Sequence, residues 1–186
     1  SLFTLYLLVR VVPRIDGYGM YQIGLLLGIA NMAIGIDHLL TDRLWTVAYW
    51  EVRSGKLDHM FLRPVPVLFQ VIASEVQLEA LGELIIAFAL ISLCGANSGI
   101  AWSFGGAVLL IIGIVCAAII ISSFKILVAS LAFKFHRSGP LLQFIYALCG
   151  YVKYPMTIFP KAIRFVLTFV IPLGLCLFYP FDNLFA

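Results

Sequence analysis

Long uncharged stretches separated by short charged ones set the pattern of this chain. Uncharged runs cover 17–36, 84–124, 138–152 and 165–181, against the roughly 20 apolar residues that a helix needs to cross a bilayer. Between the first two lies the charge-dense stretch 51–66. The runs predict membrane-spanning helices. The strand signature of about ten alternating residues is absent, so helices are the way to satisfy backbone groups in lipid.

In chain order, 2–12 is apolar but interrupted by Arg10 and reads as the outer end of a helix that begins before this chain, with a polar loop over 13–19 behind it. The first complete span covers about 18–40. It holds Gly24 and Gly28, a GxxxG that lets a neighbouring helix approach closely; the alternative is that glycine is simply common in membrane helices. Asp37 and His38 mark its exit into a polar layer. Over 41–52 the pattern turns amphipathic, with Trp45, Tyr49 and Val52 on one face, and predicts a helix along the membrane surface.

A helix running to Ser54 finds in Gly55 the residue suited to a left-handed C-cap, with Lys56 complementing the negative helix end. Asp58 is expected to cap a short turn over 59–62, which Pro64 ends, and Pro66 pre-sets the next first turn.

The next span has to start before Glu83, because 84–94 alone is too short. Glu75, Glu79 and Glu83 then fall at i, i+4 and i+8 on one helical face, which must look at protein, water or the interface. Glu83 reads as a polar lining or an interhelix ion pair, and Glu75 as a headgroup-layer residue. A turn over 94–99 leads past Trp102 into a helix over about 103–133, where Lys125 snorkels toward the near surface. Gly139 and Pro140 precede a short span over 141–151. The prolines at 155, 160, 172 and 180 break the rest into two short helices, about 160–171 and 173–178. They read as a re-entrant hairpin on the outer side; an ordinary kinked span over 165–181 is the alternative.

Composition sharpens this picture. Hydrophobic residues make up 63% and charged ones 11%, where a soluble domain carries about 25% charged. The net charge of +3 is scattered among apolar residues and is no nucleic-acid footprint. Arg43, Arg53, Lys56 and Arg63 lie in 41–70 and no Lys or Arg lies in 94–102, so the positive-inside rule puts the 51–66 element in the cytoplasm. Cys94, Cys116, Cys149 and Cys176 have no CxxC spacing and argue against a metal site. No HExxH, GxSxG or GxxxxGK[ST] is present, so no catalytic residue is assigned, and ATP-driven work requires a partner chain.

Two motifs resemble a known family. Arg53, Gly55, Leu57, Asp58, Leu62, Arg63 and Pro64 match a Gly-x-Leu-Asp and Leu-Arg-Pro signature, and Pro155, Phe159, Arg164, Leu167, Thr168, Pro172, Tyr179 and Pro180 match a closing segment. Both are similar to permease subunits of bacterial ABC transporters of the type 2 exporter class, over nearly the whole chain. The resemblance implies an all-α polytopic transmembrane bundle, a single domain over 1–186, lacking most of the first and all of the last of the family's usual six spans. It implies a cytoplasmic coupling helix within 41–66, with Glu51, Arg53, Gly55, Lys56, Leu57, Asp58, Arg63 and Pro64 meeting the ATPase. It further implies an outer re-entrant hairpin carrying Pro160, Arg164 and Pro172. The implied partners are an ABC ATPase dimer holding ATP and Mg, a second permease subunit and the lipid of a bacterial inner membrane. This chain itself would hold no cofactor. The alternatives are an ion-coupled carrier using the carboxylate face, a structural membrane subunit, or an intramembrane enzyme.

Overall fold

The computed structural model describes residues 17–75, 77–100, 102–135 and 139–185. The helix expected over 2–12 lies outside the described residues. Helix α1 (Met20–Thr41) has 22 residues. It begins where Gly19 donates its N–H to the Gln22 side chain at 2.8 Å, which satisfies one of the amides a helix start leaves open. Helix α2 (43–54) follows at Asp42 and contains a π-helical stretch, Val47–Glu51. Helix α3 (Asp58–Phe61) and α4 (Val67–Ala73, behind Pro66) complete the polar segment. The long helices α5 (Glu79–Asn97) and α6 (Phe104–Phe135) come next, then α7 (Gly139–Gly150). Two 3-10 turns lead to α8 (Lys161–Val170) and α9 (Gly174–Asp182).

The result is an all-α polytopic bundle. Among the described residues, three helices, α1, α5 and α6, are long and apolar enough to cross a membrane, and the α8–α9 pair makes a fourth if counted as one span. The two arms expected near Pro172 are present. They meet at 85°, the geometry of a sharply broken span or of a re-entrant loop, and the second arm runs on to Asp182. Helix α6, at 32 residues, is about 48 Å long, against a hydrocarbon core of about 30 Å. One end of it therefore projects into the polar segment.

Glycines fix how α1 meets α5. A Cβ on Gly24 would lie 2.6 Å from Cys94 Sγ, one on Gly28 3.1 Å from the Ile91 amide nitrogen, and one on Gly35 2.9 Å from Leu84. The positions on α1 rise as those on α5 fall, so the two helices run antiparallel, and the GxxxG is a close seam rather than a matter of composition. One core gathers Leu25, Leu26 and Ile29 of α1, Ala117 and Ile121 of α6, and Leu167, Leu177 and Phe181 of the two arms. A second core joins Leu44, Val47, Leu57 and Met60 of the polar segment to Val128 and Ala129 of α6 and Leu142 of α7.

Three expectations need correction. The single carboxylate face does not form, because the helix stops at Ala73 and restarts at Glu79, leaving Glu75 in the linker. Ser74 Oγ turns back to the Val71 carbonyl at 2.7 Å, a local bond that competes with the helical ladder, and Arg43 faces Glu75 at 3.8 Å. The turn expected over 94–99 is shorter, since α5 continues to Asn97. Bare Gly95 admits the Trp102 ring, whose indole N–H donates to the Gly95 carbonyl at 3.3 Å. The aromatic face of α2, expected to lie along the membrane surface, packs against α7. Trp45 stacks on Tyr49 with centroids 5.3 Å apart, and Tyr49 fills the space beside Gly139 of α7.

Candidate functional site

The polar segment is a rigid base carrying an exposed tip. Gly55 adopts φ +69°, the left-handed cap that its position after α2 predicts and that other residues reach only with strain. Asp58 is not the cap: Leu57 holds that position with no side-chain cap bond, and Asp58 is the first helical residue, its N–H donating to the Gly55 carbonyl at 3.1 Å. The tight Gly55 turn supplies the acceptor, while the Asp58 carboxylate still sits favourably at the positive helix end. Leu57 and Met60, one turn apart, are buried. The Gln70 amide staples the loop by donating to the Met60 carbonyl at 3.0 Å and the Val65 carbonyl at 2.7 Å.

With 57 and 60 inward, the intervening face turns out. Lys56, Asp58, Arg63 and Pro64 are exposed, as are Phe61 at 58% and Leu62 at 86%. Phe61 was not among the sequence candidates, although the three-residue spacing of Leu57 and Met60 already implied that its neighbours face outward. Glu51 lies in the other direction: it is 7% exposed and accepts from Arg43 at 3.2 Å across the π turn, within the base. Leu57 likewise anchors from inside. The side chain of Arg53 lies outside what the structure describes.

Beneath the base lies a charge cluster that sequence reasoning placed wrongly. Asp37 is fully buried, one turn before α1 ends, and does not open into a polar layer. Its Oδ2 accepts from Lys125 Nζ at 2.7 Å and Tyr146 OH at 2.6 Å, and its Oδ1 from Ser122 and Thr41 hydroxyls, each at 2.7 Å. Lys125 does not snorkel. It is 1% exposed, with a second carboxylate, Asp42 Oδ1, at 3.5 Å and the Tyr146 ring beneath it at 5.1 Å. An unpaired ammonium or carboxylate here would be prohibitive, and each is held by the other. The cluster joins α1, α6 and α7 where the polar segment begins.

The remaining candidates are apart from it. Glu83 faces His38 Nδ1 at 2.8 Å, an interhelix contact between α5 and α1, and His38 stacks on Tyr146 at 5.7 Å. Burial lowers the Lys153 ammonium, and the nearby Glu83 carboxylate opposes that shift. Glu79 and Glu75 are exposed. At the opposite end of the bundle, Pro160 precedes α8, Arg164 Nε donates to the Met156 carbonyl at 3.1 Å, and Pro172 lies between the arms. The second arm is pressed on α6: a Cβ on Gly113 would lie 2.1 Å from the Cys176 carbonyl oxygen. Tyr18, just ahead of α1, bonds Asp182. Among the described residues, no three His, Cys, Asp or Glu side chains converge as a metal site would require.

The arrangement is an exposed tip, a packed base, and a buried charge cluster between the base and the spans. No curated protein and no solved structure matches the chain. A family model described as "ABC-2 family transporter protein" matches residues 1–185, nearly the whole length, and the chain accordingly belongs to that family of transporter membrane proteins.

Proposed function

We propose that the chain is the permease subunit of an ATP-driven exporter, multi-pass in a bacterial inner membrane, working with a second permease subunit. A separate ABC ATPase dimer carries ATP and Mg, and residues 41–66 dock on it. The observation that carries the reading is the tip. Phe61 and Leu62 project from a base immobilised by Leu57, Met60 and Gln70, flanked by Lys56 and Arg63. An apolar knob with a charged rim is the anatomy of a protein-docking hot spot. The base is itself packed on the projecting end of α6, through Val128 and Ala129. A push on the tip is thereby delivered to a spanning helix as a rigid-body displacement. The positive-inside rule supports a cytoplasmic tip, and the α8–α9 elbow at the other end then lies outside.

Burying a leucine contributes about 1.5–3 kcal/mol, so Leu62→Asp should weaken ATPase association by at least about tenfold, measured by co-purification from detergent. Its melting temperature should stay at the wild-type value, because Leu62 touches little of its own chain. Gly55→Val, which keeps the tip but strains its cap, should retain the ATPase and lose transport. Undiminished ATPase binding by Leu62→Asp would overturn the reading. Because Asp37 and Lys125 are buried charges in the bundle, the second reading is an ion-coupled carrier. It predicts that no ATPase co-purifies with the wild-type chain.

A further inference from the structure

We infer that Lys125 is a two-position latch between the docking base and the spanning helices, resting on Asp37 in this conformation and passing to Asp42 when the base is displaced. The inference rests on the docking reading above. Lys125 Nζ lies 2.7 Å from Asp37 Oδ2 and 3.5 Å from Asp42 Oδ1, the first a close ion pair and the second beyond ordinary hydrogen-bond length. Asp37 is in the body of α1, whereas Asp42 is the residue from which α2 departs. A small movement of the base therefore changes which carboxylate is nearer.

Two properties make the transfer feasible without exposing a bare charge. Asp37 keeps the Tyr146, Ser122 and Thr41 hydroxyls when the ammonium leaves, and hydrogen bonds to a carboxylate stabilise its charged form. Lys125 keeps a carboxylate in either position and the Tyr146 ring beside it. Packed, fully satisfied clusters with two discrete arrangements are the elements that convert small displacements into switching. Asp42 and Lys125 are thus positioning residues for transport, and the latch adds a charge-pair contact between α6 and the base, beside their apolar packing, once the base has moved.

The test uses the full chain reconstituted with its ATPase in nanodiscs. Spin labels are placed by Phe88→Cys on α5 and Ser123→Cys on α6, both exposed, with the native cysteines changed to alanine. Electron–electron distance measurements are taken without nucleotide and after trapping with ATP and vanadate. The expected result is a nucleotide-dependent shift in the wild-type background, its loss in Asp42→Asn while the ATPase still co-purifies and hydrolyses ATP, and its return in Asp42→Glu. A merely structural Asp42 would change stability and leave the shift intact. A shift in Asp42→Asn equal to wild type, no shift in the ATPase-bound wild type, or no recovery in Asp42→Glu overturns the latch alone. Failure of the wild-type chain to bind the ATPase overturns the docking reading and the latch with it.

Discussion

Replacing Lys125 with methionine removes the ammonium and keeps most of the side-chain volume. In wild type its Nζ meets Asp37 Oδ2 at 2.7 Å in a site where the two side chains are 1% and 0% exposed. Removing one partner of a buried pair typically costs 3–5 kcal/mol, because the other charge is stranded. Three hydroxyl donors remain on Asp37, so the cost should fall near the lower end, about 3 kcal/mol. At about 2–4 °C per kcal/mol for a chain of this size, Lys125→Met should melt roughly 6–12 °C below wild type. The assay is thermal unfolding in detergent followed by size-exclusion chromatography. The double variant Asp37→Asn with Lys125→Met has no stranded charge, and it should recover most of the loss. A Lys125→Met protein that melts with wild type, or a double variant no better than the single one, would refute the buried-pair argument.

Gly113→Ala puts a methyl 2.1 Å from the Cys176 carbonyl oxygen, where only backbone can yield; overpacking of this kind costs about 1–3 kcal/mol or more, and the expected readout is protease cleavage near Pro172 that wild type resists. Gly28→Leu strikes the Ile91 amide nitrogen, 3.1 Å from where its Cβ would sit; opening of the α1–α5 seam should appear as loss of disulfide crosslinking between cysteines introduced at Gly24 and paired with native Cys94.

How much was legible depended on how local the cause was. The three long spans, the left-handed Gly55 and the break at Pro172 follow from short stretches and stand close to where the pattern put them, whereas the span expected over 141–151 is the 12-residue α7, too short to cross. The Asp37 cluster was misplaced because its partners are far along the chain: Ser122 lies 85 and Tyr146 lies 109 residues away. Taken alone, Asp37 near a helix end and Lys125 late in a long one look like interfacial residues. The available signal was that one acid and one base sit at the same end of two apolar helices, with no opposite charge on its own helix beside either. Glu75 was misassigned for a different reason. A spacing of four residues shows a shared face only if the helix is unbroken, and Ser74 breaks it. The burial of Glu51 was not legible because it lies within a π stretch, Val47–Glu51, and periodicity alone carries no sign of one.

The distance between Asp37 and its partners also sets a clock on synthesis. At about 5–20 residues per second, Asp37 is made about 4–20 s before Lys125, Ser122 and Tyr146 exist. During that interval α1 and α5 can already close their apolar glycine seam, but of the carboxylate's side-chain donors only Thr41, within α1 itself, has been made. The nascent chain therefore enters the membrane as a helical hairpin holding one unsatisfied acid, and the arrival of α6 and α7 is the event that commits it. Truncation anywhere before Tyr146 should leave a product that membrane quality control recognises, whereas losses behind the α8–α9 elbow leave the cluster whole.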